Sequence, residues 1–176
     1  MKLLLHCCCA PCAIKCAAVL RSESVEPALF WYNPNIHPST EYTLRRDNLA
    51  LFAANENLEL KMIDEYGLRL FLKEVFPDTE YRCKKCYLLR LEKTAFIAAQ
   101  GGFEAFTTSL LISPYQDHDA VKRIGEEAAE KHGVKFLYRD FRPLFREGQS
   151  EARSMGFYMQ KYCGCIFSEE KRFLVK

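Results

Sequence analysis

The sequence has no apolar run approaching the roughly 18 residues of a membrane span. Before the first cysteines only Leu3-Leu4-Leu5 are consecutive strong apolars, too few for the core of a secretory leader. A cytosolic protein with no membrane partner is therefore expected, in a compartment that keeps thiols reduced. An excess of one charge is also missing. Lys and Arg number 25 against 23 Asp and Glu, a net charge of +2 that neither demands nor forbids a nucleic-acid partner. No internal repeat, low-complexity stretch or linker interrupts the 176 residues. Residues 1–176 are thus expected to form a single domain, since domains usually hold about 100–150 residues.

The most informative gap lies among the cysteines. None falls between Cys16 and Cys83, or between Cys86 and Cys163, so all nine sit in three groups: Cys7, Cys8, Cys9, Cys12 and Cys16; Cys83 and Cys86; Cys163 and Cys165. Cysteines used only as small apolar residues would be scattered along the core elements. Clusters of reduced thiols point to metal binding or redox catalysis.

Apolar runs alternate with helical patterns, which predicts βαβ units and a mostly parallel five-stranded sheet. Strands are expected at 2–6, 28–32, 58–63, 105–111 and 134–139. Helices are expected at 13–22, 40–55 (with Leu44, Leu51 and Phe52 on one face), 68–75, 86–100, 120–132 and 148–160. The segment 162–167 is placed outside the sheet. Ligands of such sheets bind beyond the carboxyl ends of the strands. Cys7–Cys12, Tyr32–His37, Ser113–Tyr115 and Asp140–Arg142 all follow strands and converge on that one edge.

Cys8-Cys9-Ala10-Pro11-Cys12 precedes a helix, where Pro11 suits the first turn and thiolates feel the positive end of the helix dipole. Cys83-Lys84-Lys85-Cys86 repeats this at another helix start. Two thiols from each segment supply the four ligands of a [4Fe–4S] cluster. A Cys₄ zinc site stabilising a nucleic-acid-binding module is the alternative, although zinc pairs usually lie about 15–20 residues apart. Cys163-Gly164-Cys165 is a third feature, a redox-active pair or a pair sharing a metal, with Gly164 giving the tight loop its backbone freedom. Cys7 and Cys16 read as packing residues, and Cys12 stays open between a second metal site and structure.

Several segments occur in one order: His6-Cys7-Cys8-Cys9-Ala10-Pro11-Cys12, Tyr32-Asn33-Pro34-Asn35-Ile36-His37-Pro38, Arg82-Cys83-Lys84-Lys85-Cys86, Thr107–Pro114, Asp140-Phe141-Arg142 and Tyr162-Cys163-Gly164-Cys165. Over nearly the whole chain this pattern resembles the cobalamin-independent epoxyqueuosine reductases of the QueH type. The resemblance implies a fold related to the adenine-nucleotide α-hydrolases, with the cysteine loop standing where relatives on that fold carry a phosphate-binding loop. It implies deoxygenation of epoxyqueuosine at the wobble position of tRNA, with two electrons from an unidentified low-potential donor. It also implies Cys8, Cys9, Cys83 and Cys86 as cluster ligands, and Cys163 and Cys165 as a redox pair. Alternatively that pair holds a second metal, such as a mononuclear iron, with Cys12 nearby and an aspartate, Asp140 or behind it Asp117, as a further ligand.

Tyr32, Asn33, Asn35 and Tyr42 have the stacking and hydrogen-bonding character that suits an extruded nucleoside, although Asn33-Pro34-Asn35 equally reads as turn chemistry. His37 is the candidate proton donor to the leaving oxygen, against a structural histidine. Arg45 and Arg46, Lys84 and Lys85, Arg90 and Lys93 are the candidate RNA-backbone contacts, against solvated helix faces. Arg142, with Arg146 beyond it, is placed near the site by its strand end.

Overall fold

A largely apolar strand is stable where both faces are covered, and three segments are buried along their whole length. The computed structural model describes residues 1–174, and in it these are β1 (Leu3–His6), β2 (Pro27–Trp31) and β4 (Ala105–Thr108), buried at every position. With β3 (Leu60–Met62) and β5 (Lys135–Phe136) they form a wholly parallel sheet in the order β3-β2-β1-β4-β5. Leu3 lies opposite Pro27 and Ala105, and His6 opposite Phe30 and Thr108. The three central strands therefore end level, at one edge.

The helices are α1 (Ala10–Ser22), α2 (Ser39–Asn55), α3 (Leu68–Val75), α4 (Arg82–Gln100), α5 (His118–His132), α6 (Phe145–Ser154) and α7 (Ile166–Phe173). Right-handed crossovers put α1 and α2 on one face of the sheet and α4 and α5 on the other. This is the single α/β architecture with a five-stranded parallel sheet that was expected.

The differences are local. The edge strands are shorter than expected at 58–63 and 134–139, because an edge strand pairs on one side and only its residues facing β2 or β4 are held. The fourth strand ends at Thr108, where Ser109–Ile112 turns into a 3₁₀ segment. Helix α1 begins at Ala10 rather than residue 13, and α4 at Arg82 rather than 86. Cys12 and Cys83 consequently stand on first helical turns, with Cys86 at the start of the second turn of α4. Helix α6 runs earlier than the expected 148–160, and α7 has no counterpart in the sequence reading. The largest correction concerns α2. Leu44 and Leu51 point outward, while Tyr42, Arg45, Leu49 and Phe52 are buried.

Gly125, on α5, marks a close approach: a Cβ there would stand 2.6 Å from ring atoms of Phe136 on β5. Gly125→Ala is therefore expected to destabilise the chain by about 1–3 kcal/mol through overpacking, read as a lowered midpoint in urea. Combining it with Phe136→Leu should recover most of the loss; equal midpoints for parent and Gly125→Ala would show that the ring moves freely.

Candidate metal centre

The site is built where β1, β2 and β4 end. His6 is fully buried, its Nδ1 2.9 Å from the Thr108 hydroxyl and its Nε2 3.2 Å from the Tyr32 carbonyl. Burial, with the nearby Arg90 charge, pushes its pKa down to about 4. The ring is therefore neutral, and donation from Nε2 to the carbonyl ties the three strand ends together. The next residues turn into α1, and the Cys8 N–H donates to the Ser109 hydroxyl at the end of β4.

The first thiol group follows. Cys8, Cys9 and Cys12 are all buried, and their sulfurs lie within 4.8 Å of one another. Donation from Cys12 and Cys9 holds the Cys8 thiol well below its ordinary value despite burial, with Arg45 and Arg90 adding to the effect. Cys8 is thus the thiol of the trio whose ionised form its surroundings favour. Cys7 and Cys16 are also buried, and burial pushes both thiols well up.

The second group joins two segments. Burial pushes the Cys86 thiol up to about 12, and Cys83 also upward; both feel the charges of Cys163 and Cys165. Cys86 and Cys165 pack in one small cluster with Phe71 and Val75. The expected set of Cys8, Cys9, Cys83 and Cys86 therefore draws on both groups, while Cys163 and Cys165 stand beside Cys83 and Cys86.

Between the groups lies a buried cation. Arg90 is 1% exposed, donates from Nε to the Cys86 carbonyl, and has no partner for Nη2. Burial disfavours its charge, but Cys86, Cys163 and Cys8 outweigh that, one thiol from each segment of the sequence. A dry guanidinium needs an anion, and no carboxylate among the described residues supplies it. A thiolate-ligated iron–sulfur cluster is anionic and needs thiols in this number. The residues present fit such a group.

The carboxy-terminal cysteines are held in place by the loop after β2. Arg45, also 1% exposed, pairs with Glu41 at 2.6 Å and donates to the carbonyls of Tyr162 and Cys163, each at 2.9 Å. The His37 N–H donates to the Gly164 carbonyl at 2.8 Å, and the Ile166 N–H donates to His37 Nδ1. Gly164 has φ +141, and a Cβ there would press on Ile36 and Arg45.

A cavity of about 680 Å³ opens onto Cys8, Cys12 and Cys163. Gln160 Nε2 donates to Cys9 at 3.0 Å and Cys12 at 3.6 Å, and Gln116 Nε2 to Cys163 at 3.4 Å. Neither glutamine carries a sequence signal that could have marked it. A larger groove, about 820 Å³, runs along α3, α4 and α5 away from the strand ends. The smaller one holds the chemistry.

The profile of a family described as epoxyqueuosine reductase QueH matches residues 3–171. The chain belongs to the QueH family. A relative from Dehalococcoides mccartyi named epoxyqueuosine reductase QueH is 36% identical, over 98% of this chain and 94% of its own. Another of the same name from Thermotoga maritima is 35% identical, over 94% and 88%. Among solved structures, one titled as a predicted subunit of tRNA methyltransferase from Methanocaldococcus jannaschii aligns with a TM-score of 0.54, covering 85% of this chain and 76% of that one. At 14% identity it shows likeness of fold alone.

Within this QueH chain several expectations need correction. His37 does not offer a proton: its Nε2 is spent on the Pro34 carbonyl and Nδ1 accepts from Ile166, while burial pushes its pKa down to about 4. Asp140 is bound by Arg142 at 2.7 and 2.8 Å, which holds its carboxyl down to about 2, and Asp117 caps α5 through the Ala120 N–H. Neither aspartate joins the close group of Cys8, Cys9 and Cys12. Arg45 and Arg90 are too deeply buried for the RNA backbone contacts expected of them, and Arg46 is paired with Asp47 and Asp64. Lys85 pairs with Asp78, whereas Lys84 and Lys93 lie over the rings of Tyr81 and Tyr32. Asn33 and Asn35 are buried, Asn33 donating to the Cys7 carbonyl, and the Tyr42 hydroxyl links Trp31 to Asp64. Tyr32 borders the larger groove, so these four do not line the thiol cavity.

Arg90→Met tests the reading of the buried cation. The metal-free chain is expected to keep its stability or gain about 1–4 kcal/mol, since an uncompensated charge is removed. Iron and sulfide retained after anaerobic reconstitution should fall at least severalfold. A variant that binds iron and sulfide as fully as the parent would show that Arg90 does not balance the centre's charge.

Proposed function

We propose that this chain reduces epoxyqueuosine to queuosine at the wobble position of tRNA, working in the cytosol as a single domain. The observation that carries the reading is the buried Arg90 guanidinium, whose Nη2 has no partner and whose charge is favoured by Cys8, Cys86 and Cys163, one thiol from each cysteine segment. Membership of the QueH family supplies the substrate, since relatives bear the name of that activity.

Cys8, Cys9, Cys83 and Cys86 are assigned to a [4Fe–4S] cluster. When bound, such a group supplies electrons singly at low potential. Arg90 and Arg45 balance negative charge in a dry interior, and the amides of Gln160 and Gln116 donate to sulfur, which fixes thiol orientation at the cavity wall. Removing the epoxide oxygen takes two electrons and two protons and yields an alkene and water. The Cys163–Cys165 pair balances this by itself: two thiols give up both electrons and both protons, and a disulfide forms. An external low-potential donor then restores the dithiol. Cys163 borders the cavity and so takes the exposed role in that pair. A second reading, favoured by the closeness of Cys8, Cys9 and Cys12, gives part of that trio to an additional iron acting as a Lewis acid on the epoxide oxygen.

The first experiment counts iron, acid-labile sulfide and zinc per chain after anaerobic purification, then follows conversion of tRNA carrying epoxyqueuosine. About four or five irons with about four sulfides are expected, together with loss of turnover in Cys163→Ser at unchanged sulfide. Stoichiometric zinc without sulfide would leave a zinc-stabilised nucleic-acid-binding module instead. Full turnover by Cys163→Ser would remove the dithiol step while leaving the cluster in place.

A further inference from the structure

The lip of the thiol cavity carries a feature that reduction itself does not require. Tyr115, in the loop after β4, is 84% exposed, and its ring meets Phe145 at the start of α6 edge-on, with centroids 5.9 Å apart and planes at 85°. An aromatic ring displayed so fully gains nothing from the core. Charge around the same cavity is one-sided. Arg45, Lys161, Lys171 and Arg172 line it and no carboxylate does. Lys161, Lys171 and Arg172 also have no ion-pair partner among the described residues. By contrast, the larger groove mixes Lys85, Lys93 and Lys131 with Glu74 and Glu92, and Lys85 and Lys131 are paired with carboxylates.

A polyanion with planar rings is the ligand these features fit, because bases stack on exposed aromatic faces while cations track the phosphates. The thiols lie deeper, Cys8 and Cys12 being buried, so the lip is left for a neighbour of the reacting nucleoside. We propose that Tyr115 and Phe145 form a stacking platform for the base adjoining the modified nucleotide of a single-stranded RNA loop. Lys161, Lys171 and Arg172 take the phosphates on either side of that base. The inference rests on the functional reading above and adds to it where the strand is gripped.

The test uses the iron-loaded chain and tRNA carrying epoxyqueuosine, with steady-state kinetics and tRNA binding by fluorescence anisotropy. Tyr115→Ala is expected to raise KM and the dissociation constant for tRNA about tenfold or more, with kcat and iron content retained; Tyr115→Phe should stay near the parent. Replacing Lys161, Lys171 and Arg172 with alanine should weaken binding and flatten its dependence on salt. Unchanged KM and binding in Tyr115→Ala, with the parent active, would overturn the platform alone. Should the parent bind tRNA without reducing it, the functional reading falls, and the anisotropy comparison still decides the platform.

Discussion

Two guanidinium groups carried into the interior set the terms for the rest of this structure. Placing a charge where water cannot reach costs several kcal/mol unless partners are built around it. Arg45 has such partners within the protein: Glu41 one turn earlier on α2, and the carbonyls of Tyr162 and Cys163. Among the described residues Arg90 has one carbonyl from its own helix, the face of the Tyr87 ring and thiols, but no carboxylate. The first cation organises the chain; the second is left for an anionic group to complete. That division accounts for a site whose scaffold is satisfied and whose centre is not.

The sheet makes the arrangement possible. Because β1, β2 and β4 end level, the segments that follow them meet at one edge, and His6 stitches the three ends together as a neutral ring. Helices α1 and α4 deliver their cysteines from their opening turns on opposite faces of the sheet. The third pair arrives from the far end of the sequence, and no strand holds it. The His37 backbone in the loop after β2 and the Arg45 guanidinium on α2 do so instead. Residues with a catalytic look in the sequence thus turn out to position the cysteines.

The parallel direction of the strands was legible because apolar runs alternating with helical patterns leave few alternatives, whereas their order across the sheet came only with the fold. The convergence of the cysteine segments followed from the shared direction and needed no side-chain detail. The inward face of α2 was not legible. An apolar stripe is a reliable guide only where a helix covers an apolar surface, and α2 covers a polar site, so Arg45 points in while Leu44 and Leu51 point out. Buried arginines look identical to surface arginines in a sequence, since what separates them is the partner set assembled by the fold. The same holds for Gln116 and Gln160, whose proximity to sulfur depends on contacts between residues far apart in the chain.

This contrast bears on how the thiols are read. In the trio Cys8 is lowered while Cys9 and Cys12 are raised, and burial raises Cys83 and Cys86, so most of these thiols favour keeping their protons. Metal binding must expel those protons, and a buried cation with a free donor lowers the cost of the negative charge left behind. Arg90 therefore does for the centre what Glu41 does for Arg45, with the sign reversed.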